Sequence, residues 1–152
     1  MKYYDYIITG AGAAGLMLAY RLAKDSFFDQ KSILILDPIE RIVDDRTWSF
    51  WEDGEGEWDD LVSKSWNSVI FANSKSNLKL SLSPYRYKMI KSKDFYQKVW
   101  SEIRSKSNIK FLKQEIVKLI PNNKYVEVHT NTLVFKASKV FNSIPNPDNY
   151  TE

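Results

Sequence analysis

Two hydrophobic periods take turns along this chain. Tyr6-Ile7-Ile8-Thr9 is a short apolar run rich in β-branched residues, which predicts a buried strand. The run stops at Gly10-Ala11-Gly12-Ala13-Ala14-Gly15, and apolar residues over 16–23 then recur at helical spacing. A second apolar run over 32–36 ends at Asp37. Strand, glycine turn, helix and strand in this order predict one βαβ unit, and with it an α/β domain on a parallel sheet.

Past Asp37 the pattern changes. Residues 38–45 read as a connection into the extended segment Arg46-Thr47-Trp48-Ser49-Phe50-Trp51, followed by an acidic, glycine-containing loop over 52–60 that is expected to be solvated. Residues 68–72 and 78–83 read as strands separated by the turn-prone Asn73-Ser74-Lys75-Ser76-Asn77, and 85–90 as a further strand. Ser92-Lys93-Asp94 has the composition of a helix cap, with Phe95, Val99, Trp100 and Ile103 at helical spacing behind it and an end near Ser107-Asn108. The tail predicts a meander of strands over 109–112, 115–120, 124–130, 132–136 and 139–141, turning at Pro121-Asn122-Asn123 and Asn131. Residues 145–152 are polar and turn-like.

The glycine turn carries the chemistry. Gly10 permits a tight turn, Gly12 admits close approach of a pyrophosphate to the backbone, and Gly15 lets helix and strand pack closely. The helix behind offers free N–H groups and the positive end of its dipole, so Gly10, Ala11, Gly12, Ala13, Ala14 and Gly15 are candidate phosphate-binding positions. Asp37 lies about twenty residues further on, at the tip of the second strand, where an acid accepts hydrogen bonds from a ribose diol. The competing reading is a glycine turn that binds no nucleotide; strand, helix and acid in register favour the dinucleotide fingerprint.

Composition narrows the picture. Hydrophobic residues make up 43% and charged residues 27%, as in ordinary globular domains. The net charge of +3 is mildly basic, and Lys75, Lys79, Lys88, Lys91 and Lys93 suit a solvated face. No nucleic-acid partner is expected, and attraction to anionic lipids is a minor alternative to that solvated face. The chain has no cysteine, which excludes Cys-x-x-Cys redox chemistry and thiolate metal sites within it. A single histidine, His129, reads as a surface strand residue, and no metal site is expected. No segment reaches the roughly 20 apolar residues of a membrane span, so the expected location is the cytoplasm, with peripheral attachment to the cytoplasmic membrane.

Arg46-Thr47-Trp48-Ser49-Phe50-Trp51, then Trp66, then the stretch from Tyr85 to Trp100 with Tyr87, Ser92 and Phe95 at its marked positions, all follow the N-terminal glycine motif. In that order they resemble the bacterial-type lycopene β-cyclases, over nearly the whole chain. The resemblance implies a Rossmann-like FAD-binding domain, with a parallel sheet plus a β-meander, over residues 1–152 of a longer enzyme, and the start of a substrate-side insertion over 46–100. It implies FAD, used in reduced form with NAD(P)H as the reductant. The implied reaction is redox-neutral: protonation of a terminal double bond of lycopene, ring closure on the tertiary carbocation and loss of a proton, giving β- or γ-carotene.

For the site residues the resemblance implies the pyrophosphate at Gly10 to Gly15, ribose at Asp37, adenine at the backbone near Val117, and flavin phosphate or ribose at Arg46. An ion pair with Asp44 or Asp45 is the alternative for Arg46. Trp48 and Trp51 are expected to line the carbocation path with Phe50 on the opposite side, against the alternative that Trp48, Phe50, Trp51 and Trp66 are packing residues. Two departures stand out. The family's Phe-Leu-Glu-Glu-Thr-like acid motif is absent and would lie beyond residue 152, which leaves the catalytic acid unknown and this segment inactive by itself. Asn142 stands where relatives usually carry Asp, and no Arg follows Ser143. The other readings are an FAD-dependent monooxygenase or geranylgeranyl-reductase-like flavoprotein, and a non-catalytic nucleotide-binding fragment.

Overall fold

The computed structural model describes residues 2–144; the turn expected over 145–152 lies outside the described residues. In chain order the elements are β1 (Lys2–Thr9), α1 (Ala13–Lys24), β2 (Ile33–Asp37), β3 (Thr47–Asp53), β4 (Val62–Trp66), β5 (Ser68–Ala72), β6 (Asn77–Ser81), β7 (Tyr85–Lys91), α2 (Ser92–Arg104), β8 (Ile109–Lys113), β9 (Ile116–Pro121), β10 (Val126–Thr130) and β11 (Val134–Asn142). They fall into two compact units. The first combines the chain up to Arg41 with the chain from Lys98 onward; the second is Ile42–Gln97.

The first unit holds a six-stranded sheet in the order β8-β2-β1-β11-β10-β9. β8, β2, β1 and β11 run parallel, and β10 is antiparallel to both β11 and β9. β2 is Ile-Leu-Ile-Leu-Asp and is buried at every position, because a parallel strand covered on both faces has no wet side for polar residues to occupy. Tyr4, Ile7, Leu34 and Leu36 of the parallel strands share a core with Val128, Phe135 and Ala137 of β10 and β11, and Ile116, Leu119 and Val140 pack against it.

Two expectations about the tail are corrected. Residues 109–112 are not part of the meander: they form the outer parallel strand, with Phe111 opposite Ile35. A strand's own alternation does not say which neighbour it pairs with. The strands expected over 132–136 and 139–141 are one strand, β11, which starts at Val134 and pairs with β1 from Phe135 to Asn142. The small Ala137 and Ser138 lower the local hydrophobicity that marks a strand without interrupting its hydrogen bonds.

In the second unit β3, β7 and β4 form an antiparallel sheet, and β5 and β6 a separate hairpin. β4, Val-Ser-Lys-Ser-Trp, is an element the hydrophobic pattern did not reveal, since its three central residues are polar and it is held by backbone pairing to β7. β3 also revises the aromatic geometry. Strand side chains alternate with period two, so Trp48 and Phe50 share a face and Trp51 points the other way. Trp48 packs edge-on against Phe95 at 5.2 Å and Tyr96 at 5.7 Å. Trp51 instead joins Tyr87 at 4.8 Å, and Tyr87 meets Trp66 at 5.7 Å, giving an aromatic row across three strands.

Lys75, Lys79, Lys91 and Lys93 are exposed as expected, but Lys88 departs from that solvated face and ties down part of the acidic loop. It is only 2% exposed, and its Nζ donates to Glu52 Oε2 at 2.8 Å, Asp59 Oδ1 at 2.6 Å and the Gly54 carbonyl at 2.8 Å. A buried ammonium needs its three donors satisfied, and the loop supplies all three acceptors. Gly56 completes the arrangement, since a Cβ there would overlap the Glu52 carboxylate. The hydrogen bond from Lys88 holds the Asp59 carboxyl below the usual carboxylate range, and the bonds to Asp59 and then Glu52 raise Lys88 above the usual amine range.

These directions set the pH window. The Asp59 contribution is complete above its unfolded pKa of about 3.9 and is lost as pH falls through its lower folded value; that of Lys88 is complete below about 10.4 and is lost as pH rises through its higher folded value. Thermal unfolding followed by tryptophan fluorescence is expected to show both flanks. Lys88→Met is expected to lower Tm at pH 7 and flatten both; an unchanged Tm would refute a stabilising role for the Lys88 bonds to Glu52 and Asp59.

Candidate functional site

The candidate site is the crevice at the carboxyl end of β1. β1 lies between β2, reached through α1, and β11, reached after the rest of the chain. Such a reversal of strand order opens a crevice at the strand ends, where ligands of open α/β sheets bind.

Each glycine of the turn answers to a different constraint. Gly10 has φ +99°, a conformation that L side chains rarely adopt, and a Cβ there would overlap the Ser143 hydroxyl. A Cβ at Gly15 would overlap the Gly10 carbonyl oxygen. Gly12 is the N-cap of α1 with φ −77°, and no side chain caps the helix. A Cβ at Gly12 would meet no atom within 4 Å. Gly10 and Gly15 are therefore required by the protein's own packing. Gly12 faces open space above an uncapped helix start, where a bare backbone is useful to an approaching anion.

Asp37 is nearly buried beside this turn. Its Oδ2 accepts the Ala11 N–H at 2.7 Å and its Oδ1 the Ile39 N–H at 2.8 Å. A carboxylate oxygen has two lone pairs, so each keeps acceptor capacity beyond these bonds. The Gly10 N–H donates to the Leu36 carbonyl at 2.8 Å, tying the turn to the end of β2.

The closing strand adds residues that sequence reasoning treated only as departures. The Ser143 hydroxyl donates to the Thr9 carbonyl at 2.9 Å and lies 3.2 Å from the Gly10 carbonyl. Asn142 Oδ1 accepts from the buried Thr9 hydroxyl at 2.7 Å. Both brace the turn from behind. Their signal in the sequence was weak, because only the parallel pairing of Thr9 with Asn142 brings them there.

Val117 lies on β9, outermost on the meander side. His129 pairs with Lys118 and Thr130 with Ile116, which leaves Val117 as the extra residue of a β-bulge, 67% exposed. The Gln114 N–H just before β9 donates to the Asp37 carbonyl at 3.1 Å, so this segment starts at the tip of β2. Arg46 belongs to the second unit, and its Nε lies 3.7 Å from Asp45 Oδ2. Its backbone N–H donates to the fully buried Ser92 hydroxyl at 3.0 Å. His129 sits on β10 with Nε2 3.0 Å from Glu127 Oε2. Among the described residues no group of three or more His, Cys, Asp or Glu is placed to hold a metal.

Fold and turn together define the class: an α/β domain whose parallel sheet carries a glycine turn between its first strand and first helix. The family described as lycopene cyclase protein matches residues 5–150, and the chain belongs to that family. No curated protein matches it. Among solved structures, p-nitrophenol 4-monooxygenase PnpA from Pseudomonas putida is similar at TM-score 0.70 and 13% identity, over 93% of this chain and 41% of that one. PqsL from Pseudomonas aeruginosa, described as a probable FAD-dependent monooxygenase, gives 0.64 and 14%, over 91% and 42%. NikD, an amino acid oxidase of nikkomycin biosynthesis, gives 0.63 and 11%, over 94% and 51%. The chain spans about half the length of these proteins or less.

The glycines predict a ranked series in urea unfolding. Gly15→Ala is expected to destabilise by about 1–3 kcal/mol through overpacking, and Gly10→Ala to add the strain of its positive φ. Gly12→Ala is expected to cost below about 1 kcal/mol. Equal losses at Gly12 and Gly15 would contradict this division of labour.

Proposed function

We propose that this chain is the FAD-binding region of a lycopene cyclase, which converts linear lycopene to β-cyclic carotenoids by proton-initiated, redox-neutral ring closure. What supports the reading is the meeting, within a member of the lycopene cyclase family, of a tight glycine turn with open space over Gly12. An uncapped helix start takes a pyrophosphate through its free amides, and Gly12 leaves room for it. Ala13, Ala14 and Gly15 complete that cradle, and Ala11, its N–H held by Asp37 at 2.7 Å, shapes the turn beside it. Asp37 takes the ribose diol with its remaining lone pairs. The unpaired backbone at the Val117 bulge takes the adenine edge, and Arg46 a phosphate or ribose oxygen.

When bound and reduced at the expense of NAD(P)H, a flavin supplies electron density or proton-transfer assistance to a cationic reaction. The second unit, in this reading, begins the substrate side. Its Trp51-Tyr87-Trp66 row offers electron-rich ring faces, which attract positive charge. Trp48, packed against Phe95 and Tyr96, faces away from that row, and Phe50 shares its face of β3. The proton donor is assigned to no residue of this chain.

Two measurements test the proposal. Gly12→Glu places a carboxylate over the phosphate cradle while leaving the turn's own packing intact, so FAD retention, read by flavin absorbance, is expected to vanish with the fold preserved. Yellow protein after that substitution would exclude the assigned site. Expression of the full reading frame in lycopene-accumulating cells is expected to yield β- or γ-carotene; unchanged lycopene beside folded, flavin-loaded protein would refute the cyclase assignment.

A further inference from the structure

We propose that Ser143 is a positioning residue for the dinucleotide, acting through the Gly10–Ala11 peptide of the turn. A trans peptide unit is planar, with its carbonyl and its N–H pointing in opposite directions. Asp37 Oδ2 holds the N–H end, accepting from Ala11 at 2.7 Å. The Ser143 hydroxyl holds the carbonyl end, 3.2 Å from the Gly10 oxygen. Contacts at both ends of one plane fix its rotation, a grip that neither residue supplies alone. The hydroxyl works from between two successive carbonyls, since it also lies 2.9 Å from that of Thr9. In extended backbone successive carbonyls point to opposite sides; the φ of +99° at Gly10 brings these two within reach of a single donor. The Ser143 N–H donates to the same Thr9 carbonyl at 2.9 Å, so Ser143 is tied to the end of β1 by main chain and side chain together.

Ser143 is itself held in place. Asn142 Oδ1 accepts the Ile144 N–H at 3.1 Å, and Asn142 Nδ2 donates to the Ile144 carbonyl at 3.2 Å. These bonds close a short loop with Ser143 at its centre. The same Oδ1 takes the hydroxyl of the fully buried Thr9 at 2.7 Å. An amide side chain can both donate and accept, whereas a carboxylate only accepts; an Asp at position 142 would set its second oxygen against the Ile144 carbonyl. The consequence falls on the ligand side. The Gly10–Ala11 peptide leads directly into Gly12, and the N–H groups from Gly12 to Gly15 are those a helix start leaves without helical partners. Their direction follows from the plane before them, and an anion binds best to donors already aimed at it. Every contact in this chain of bonds joins β1, the turn, Asp37 and the end of β11, all within the first unit. The inference rests on the reading of this crevice as an FAD site.

The test uses the full reading frame and two readouts: hydrogen exchange at the Ala11 amide, measured on protein freed of cofactor, and the Kd for FAD, read by flavin fluorescence. Ser143→Ala is expected to speed exchange at Ala11 about threefold or more, although the lost hydroxyl bonds carbonyls and not that N–H, and to raise the Kd about threefold or more. Ser143→Thr, which keeps the hydroxyl, is expected to restore both. Val140→Ala, a cut in the core packing of the same strand, is expected to lower Tm and leave both readouts unchanged. Unchanged exchange at Ala11 in Ser143→Ala would overturn the proposal, and so would an equal loss of FAD affinity in Val140→Ala. A wild-type protein that takes up no FAD would overturn the cofactor reading, while the Ala11 exchange still decides whether Ser143 fixes the turn. If Ser143→Ala fails to fold, Asn142→Ala carries the same two readouts with the same expected directions.

Discussion

The first unit depends on how closely the start of α1 approaches the turn that feeds it. With no side chain at Gly15, the helix settles against the Gly10 carbonyl oxygen, and a single Cβ there would force the two apart. That approach aims the first turn of α1 across the end of β1. From it follow the places of Asp37, whose carboxylate takes the Ala11 N–H, and of Ser143, whose hydroxyl fills the space that a side chain on Gly10 would need. Both brace the turn by hydrogen bonds to its backbone, so Gly12 is left as the glycine whose missing side chain the protein itself does not use.

The second unit rests on a different constraint. Burying an ammonium is costly unless its donors are met, and Lys88 is buried with three acceptors. The acidic loop after β3 is thereby organised around a central strand of the sheet. It also explains why a run of acids and glycines, which in isolation suggests a solvated connection, is held in one conformation. The same sheet separates its aromatic residues by face. Trp48 serves the core through Phe95 and Tyr96, while Trp51, Tyr87 and Trp66 form the outer row.

Much of the first unit was legible because its signals are local. A buried parallel strand must be continuously apolar, a strand-to-helix turn of this kind requires glycine, and an acid at a strand tip stands out against an apolar run. The family resemblance rested equally on local blocks such as Thr47-Trp48-Ser49-Phe50. The errors came where pairing partners matter. Residues 109–113 alternate equally well for a meander strand or an outer parallel one. β4 is too polar to register without its partner β7, and Lys88 resembles its solvated neighbours until Glu52 and Asp59 are placed around it.

Sequence alone therefore determined the βαβ unit, the positions of Gly10, Gly12, Gly15 and Asp37, and the family, since each depends on residues near one another in the chain. Tertiary structure decided the six-strand order, the bracing of the turn by Asn142 and Ser143, the bulge at Val117 and the burial of Lys88. Those arise from contacts between segments far apart in sequence, where hydrogen-bond pairing and desolvation select one arrangement among several that the local pattern permits equally.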